Sequence, residues 1–230
     1  MTDPFETTIF ERLSEPFLPD QIHWRVGSTN KDKTKGMALA YVDARDVMDR
    51  LDGVCQPNGW QDEYSTVGGV TCCRIGIALH DTDLDRNATW IWKADGAGET
   101  AYEGAKGQFS DAFKRAAVKH GVGRYLYDCG APWVDIEPRG KSYVIKSGQS
   151  DVLDSALAKA AALQQWGDRN TANMYRLFRD ALKEYAAKGG DVDSFVKERV
   201  GTIAQLRVGA KRELEQEIER LRENQQEKAA

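Results

Sequence analysis

The chain has 230 residues, 41% of them hydrophobic and 30% charged, with 32 basic and 36 acidic side chains and a formal net charge of −4. A chain of this size and apolar content can bury an ordinary core, and its composition excludes the collagen-like, mucin-like and wholly disordered classes. There is no apolar run of roughly 18 residues or more to span a membrane, and the start, Met1-Thr2-Asp3-Pro4-Phe5-Glu6, lacks the basic and apolar regions of a secretory signal.

In chain order, residues 5–18 predict a short helix ending near Pro16 and Pro19. Residues 26–36 read as a polar loop, and the apolar residues 37–42 as a short strand. Asp43 can cap a helix over 44–51 that places Val47, Met48 and Leu51 on one face. Asn58-Gly59 marks a turn. Three strand-like runs follow, 60–67, 70–80 and 88–94, the first two joined by Gly68-Gly69 as a hairpin. In the second run Thr71, Cys73, Ile75, Ile77 and Leu79 share a face. Short links between three consecutive strands predict an antiparallel meander.

After Asp95-Gly96-Ala97-Gly98, a helical pattern runs over about 100–120. Ala101, Ala105, Phe109, Ala112, Phe113, Ala116 and Ala117 fall within an arc of ~160°, and Ser110, Lys114 and Arg115 lie off it. Gly121 and Gly123 end the helix. A small hairpin is predicted over 132–136 and 142–146, and from 151 onward the pattern is helical, with Gly189-Gly190 between two of the helices. The fold class is therefore α+β: an antiparallel β-meander packed on a long helix, followed by an all-helical C-terminal region. The domain division is expected at 1–148 and 149–230.

Enzymatic motifs are weak. His23, His80 and His120 have no metal-ligand spacing with one another or with the cysteines, so no metal site and no cofactor is expected. The glycines at 96, 98, 104 and 107 are not followed by Gly-Lys-Ser/Thr, so they form no phosphate loop. Asp81, Asp83 and Asp85 can serve a metal-dependent nuclease, although a polar hairpin tip accounts for them more simply. Cys55, Cys72, Cys73 and Cys129 contain no Cys-x-x-Cys pair and read as reduced cysteines of a cytoplasmic protein.

Charge is distributed unevenly. Residues 151–230 carry 14 basic and 14 acidic residues. The acidic half, 1–150, contains a basic island: Lys106, Lys114, Arg115, Lys119 and Arg124 against the single acid Asp111. Lys31, Lys33 and Lys35 form a second cluster. Tyr125 and Tyr127 follow the island, where aromatic rings can stack on bases. Cations in rows beside aromatics suit a single-stranded nucleic acid, whose backbone needs charge and not base-specific contacts.

The motif series Tyr41-Val42-Asp43-Ala44-Arg45-Asp46-Val47, then Asn58-Gly59-Trp60, the meander, and Lys106-Gly107-Gln108-Phe109-Ser110-Asp111-Ala112-Phe113-Lys114-Arg115-Ala116-Ala117 closed by Gly121 resembles the Rad fifty-two superfamily of DNA single-strand annealing proteins. The phage and bacterial, DdrA-like members look closest, over about residues 15–146. The resemblance implies a β-β-β-α core that assembles as a homo-oligomeric ring or arc and holds single-stranded DNA in a basic groove, annealing complementary strands without ATP in recombination and double-strand break repair. It implies that Lys114 and Arg115 are groove cations, that Arg45 is the arginine of the short helix, and that Lys106 and Ser110 face the groove. Lys119 or Arg124 stands in for a further arginine that some eukaryotic members carry where this chain has Val118. The C-terminal helices lie outside the resemblance and are expected to serve either as an oligomerisation element or as a dock for a single-strand-binding protein or an exonuclease. The alternatives are a non-annealing protein that binds DNA or RNA ends and, less favoured, the nuclease.

Overall fold

The computed structural model describes residues 8–79, 89–98, 105–167 and 169–229, the side chains of residues 105–106, 169–170 and 228–229 excepted. The chain divides into two compact units, residues 9–161 and residues 162–230.

The first unit begins with helix α1 (Ile9–Leu13) and a single 3₁₀ turn (Pro19–Gln21). Strand β1 (His23–Thr29) pairs antiparallel with β2 (Lys35–Tyr41). Most of the stretch expected as a loop is thus strand. Trp24 and Val26 pack inward while Arg25 and Ser28 are exposed, and this weak alternation of an edge strand was masked by polar residues. Only residues 30–34 turn. Asn30 Oδ1 accepts from the amides of Thr34 and Lys35, and Lys33 takes a left-handed φ of 56°. Helix α2 (Ala44–Cys55) starts as expected from Asp43, whose amide donates to the Asp46 carboxylate in a capping box.

The meander is present as β3 (Trp60–Val67), β4 (Val70–Leu79) and β5 (Thr89–Ala97), paired antiparallel in that order. β5 runs further than expected, so Asp95 and Gly96 are strand residues opposite Cys73 and Cys72 and not part of a turn. Helix α3 (Ala105–Lys119) packs on β4 and β5. Cys73, Ile75, Ile77, Ala112, Phe113, Ala116 and Ala117 are essentially inaccessible; the three alanines let the helix backbone approach the sheet closely. Phe109 departs from the expected arc. It is 48% exposed and meets Tyr64 edge-on, with ring centroids 5.0 Å apart.

After α3 a 3₁₀ segment (Arg124–Cys129) leads to β6 (Trp133–Arg139) and β7 (Ser142–Ile145), and these complete a second sheet of order β1-β2-β6-β7. Gly121 makes the turn possible. Its φ is +108°, and a Cβ there would lie 2.0 Å from Ser14 Oγ. Helix α4 (Ser150–Trp166) contributes Leu157 and Ala160 to the core of the first unit, so that unit extends beyond residue 148.

In the second unit, α5 (Arg169–Ala187), α6 (Val192–Glu198), α7 (Val200–Ala204) and α8 (Val208–Ala229) enclose a separate core that includes Tyr175, Phe178, Leu182, Ile203 and Leu214. The last helix, expected over about 203–225, is divided at 205–207, with Leu206 buried. Among the described residues no helix is long and apolar enough to cross a membrane.

Candidate nucleic-acid interface

A half-open cavity of about 480 Å³ lies between the β1–β2 hairpin, α2, α3 and the 3₁₀ segment. Its walls carry the cations Arg25, Lys114 and Arg115, the rings of Tyr41 and Tyr127, and one acid, Asp111. Ala38, Leu39, Ala40, Val118 and Leu126 supply an apolar floor. Arg25 reaches the cavity because β1 alternates: its neighbours Trp24 and Val26 take the opposite, packed face. Lys114 and Arg115 reach it from α3 because the alanine-phenylalanine face of that helix is occupied by the sheet. The Lys114 ammonium lies 5.7 Å from the centroid of the Tyr41 ring. Tyr127 is 71% exposed. Cations, faces of aromatic rings and a concave apolar floor suit a chain of phosphates and bases.

The expected residues separate into groups. Lys114 and Arg115 share the cavity. Arg45 is exposed at the start of α2, two residues before the cavity-lining Val47, and makes no ion pair or hydrogen bond among the described residues. Ser110 is exposed on α3 and donates to the Gly107 carbonyl. The Lys106 side chain and the acidic group Asp81, Asp83 and Asp85 lie outside the described residues.

Lys119 and Arg124 serve the end of α3. Arg124 donates to the carbonyls of Val118 and Lys119, at 2.9 and 2.7 Å, and Lys93 donates to the Lys119 carbonyl at 2.9 Å. These carbonyls have no partner within the helix and sit at the negative end of its dipole. The Lys93 ammonium is held below its ordinary pKa by desolvation and by the nearby Arg124. Lys119 donates to the Ala94 carbonyl at 2.6 Å and lies 3.7 Å from Asp95. Tyr125 is not available for stacking either: it is 1% exposed, and its hydroxyl accepts from the Phe17 amide. Burial raises its pKa to about 12.

Arg25 and Tyr41 were missed in the sequence. Only the pairing of β1 with β2, in which Arg25 faces Leu39, brings them beside α3. The missed signal was the alternation around Arg25. His23, Asp43 and Asp46 also converge, with ligand atoms within 4.8 Å of one another. The cap of α2 accounts for both carboxylates.

The Rad52/22 family of double-strand break repair proteins matches residues 6–138, which include the cavity and the meander-helix core. Two curated proteins are similar to the chain. One is the single-stranded DNA-binding protein DdrA of Deinococcus radiodurans, 38% identical over 125 residues, covering 54% of this chain and 57% of that protein. The other is the single-stranded DNA-binding protein DdrA of Deinococcus deserti, 38% identical over 128 residues, covering 54% and 59%. The chain thus spans a little over half the length of the relatives it matches. No solved structure matches it at a significant level. A match that covers more than half of the chain and contains every strand that builds the cavity makes this chain a member of the Rad52/22 family of double-strand break repair proteins.

Proposed function

We propose that the protein binds single-stranded DNA in the cavity between α3 and the β1–β2 hairpin and anneals complementary strands during recombination and double-strand break repair, without nucleotide hydrolysis and in the cytoplasm. The observation that carries this reading is the convergence of Arg25, Lys114 and Arg115 with Tyr41 and Tyr127 on one concave surface of a chain whose net charge is −4. The two DdrA relatives, named as single-stranded DNA-binding proteins, support the substrate. Arg25 and Arg115 supply forked donors to phosphates, and Lys114 supplies a point charge. Arg45, Ser110 and Lys106 flank this path, and Lys119 and Arg124 hold the end of the helix that carries it. Neutralised backbones no longer repel one another, so bases can sample register.

One cavity holds only a few nucleotides, so annealing calls for copies in series, where avidity replaces tight single sites. A ring or arc of subunits provides this. Its contact surface is supported by the edge of β3, unpaired among the described residues, and by the exposed apolar residues Tyr64, Val67 and Phe109 beside it. The C-terminal helices are then available to a single-strand-binding protein or an exonuclease.

Annealing of complementary labelled oligonucleotides without ATP, with light scattering on the same sample, tests this reading. Annealing by an assembly several times the monomer mass is expected. Strand binding with no acceleration of annealing would leave the end-binding alternative, and magnesium-dependent cleavage would favour the nuclease.

A further inference from the structure

Arg115 is not a free cation. Its Nη2 lies 3.3 Å from Asp95 Oδ1, while Oδ2 of the same carboxylate is 3.7 Å from the Lys119 ammonium. Asp95 stands on β5 and reaches across to two successive turns of α3, since Arg115 and Lys119 are four residues apart. Its Oδ1 also accepts from the Gly96 amide at 2.8 Å, and the side chain is 25% exposed. Burial pushes the carboxyl up, but the Gly96 amide, Arg115 and Lys119 outweigh it and hold its pKa below the usual value. Asp95 is therefore a fixed negative charge at the edge of the proposed DNA path. Of Arg115's five donors, only Nη2 is engaged by it. Asp111, the acid within the cavity, makes no ion pair among the described residues.

Resting on the groove reading, we propose that Asp95 is a built-in competitor of the DNA backbone: it occupies Arg115 and Lys119 as an internal anion and so sets how weakly each protomer holds a strand. A phosphate arriving at Arg115 shares that guanidinium with a carboxylate already in place. The gain in charge neutralisation per nucleotide is smaller, and the strand is released more readily. Weak, repeated contacts let an annealing surface reject wrong registers, whereas a fully available row of cations would trap them.

The test is the salt dependence of single-stranded oligonucleotide binding by the full chain, for wild type, Asp95→Asn, Arg115→Ala and the double variant. Asparagine retains the acceptor for the Gly96 amide and the side-chain volume. Asp95→Asn is expected to bind about fivefold more tightly at low salt, the scale of one partly exposed ion pair. Its slope of log affinity against log salt should steepen by about 0.7, one additional single-strand phosphate contact. Most of the gain should be lost in the Arg115→Ala background, where only Lys119 is left to be freed, and the same Asn change at Asp111 should give a gain that survives it. Asp95→Ser is the second variant, measured alongside thermal melts, should the first be unstable. Unchanged affinity and slope in a folded Asp95 variant would overturn the proposal, as would weaker binding at an unchanged melting temperature. Absence of salt-dependent binding by wild type would instead remove the groove reading on which it rests.

Discussion

Lys114 and Arg115 are adjacent in sequence yet differ in what holds them: an aromatic face for one, a carboxylate for the other. Neither belongs to the buried face of α3, so truncating both creates no cavity in the core. The double variant Lys114→Ala with Arg115→Ala is expected to fold and to bind single strands with a salt slope shallower by about 0.7 to 1.4, one full contact from Lys114 at ~0.7 and a share of one from Arg115, which Asp95 already engages. An unaltered slope would take both residues off the DNA path. His120 poses a different residue-scale question. It is 2% exposed, its Nε2 donates to the Ile75 carbonyl at 2.9 Å, and its Nδ1 has no partner among the described residues. Burial lowers its pKa, so the unfolded chain takes up the proton more readily than the folded one. The stability this group contributes is complete above the unfolded pKa of about 6.5 and is lost as the pH falls through the lower folded value. Melting temperatures from pH 7 to 5 should therefore fall more steeply for wild type than for His120→Gln. Parallel curves would mean that the imidazole takes up its proton alike in the folded and unfolded chain.

Helix α3 is the element on which the interface depends, and its two faces do unlike work. Its alanines and Phe113 fasten it to the meander; losing a buried phenylalanine costs about 3–5 kcal/mol, so Phe113→Ala is a folding variant and not a test of binding. Its C-terminus is satisfied by Lys93 and Arg124. Arg124→Ala is expected to lower stability by about 0.3–1 kcal/mol, the usual worth of a cation at the end of a helix dipole, with no change in the salt slope of binding. Denaturant titration and anisotropy measured on the same preparation distinguish this role from a place on the DNA path, which would make the slope shallower by about 0.7.

At the scale of the whole molecule, the boundary between the compact units falls along the chain between residues 161 and 162, inside a helix and not at the glycine-containing stretch around 148. Leu157 and Ala160, buried in the first core, account for this position. A 1–161 fragment is expected to fold and to retain binding to a labelled single strand. A 1–148 fragment leaves the sites packed by Leu157 and Ala160 open and should melt at a lower temperature. Equal melting temperatures would mean that the first turns of α4 add nothing to that core. Binding at least tenfold weaker by a folded 1–161 fragment would bring the C-terminal helices into the DNA site.

Local pattern was sufficient wherever one face of an element was buried and the other wet. The meander, the capped helix after Asp43, the alanine-rich face of α3 and the β6–β7 hairpin were legible for that reason, and so was the basic pair Lys114-Arg115 standing off the packed arc. Three outcomes depended on the tertiary structure. Arg25 and Tyr41 joined the cavity through pairing of β1 with β2; Lys119 was drawn to the Ala94 carbonyl of β5 and Arg124 to the end of α3; Tyr125 was buried while Tyr127 stayed exposed. The physical reason is common to all three. Sequence spacing fixes the direction of a side chain about its own helix or strand, but which distant carbonyl, carboxylate or ring lies at the end of it is settled only when the elements pack.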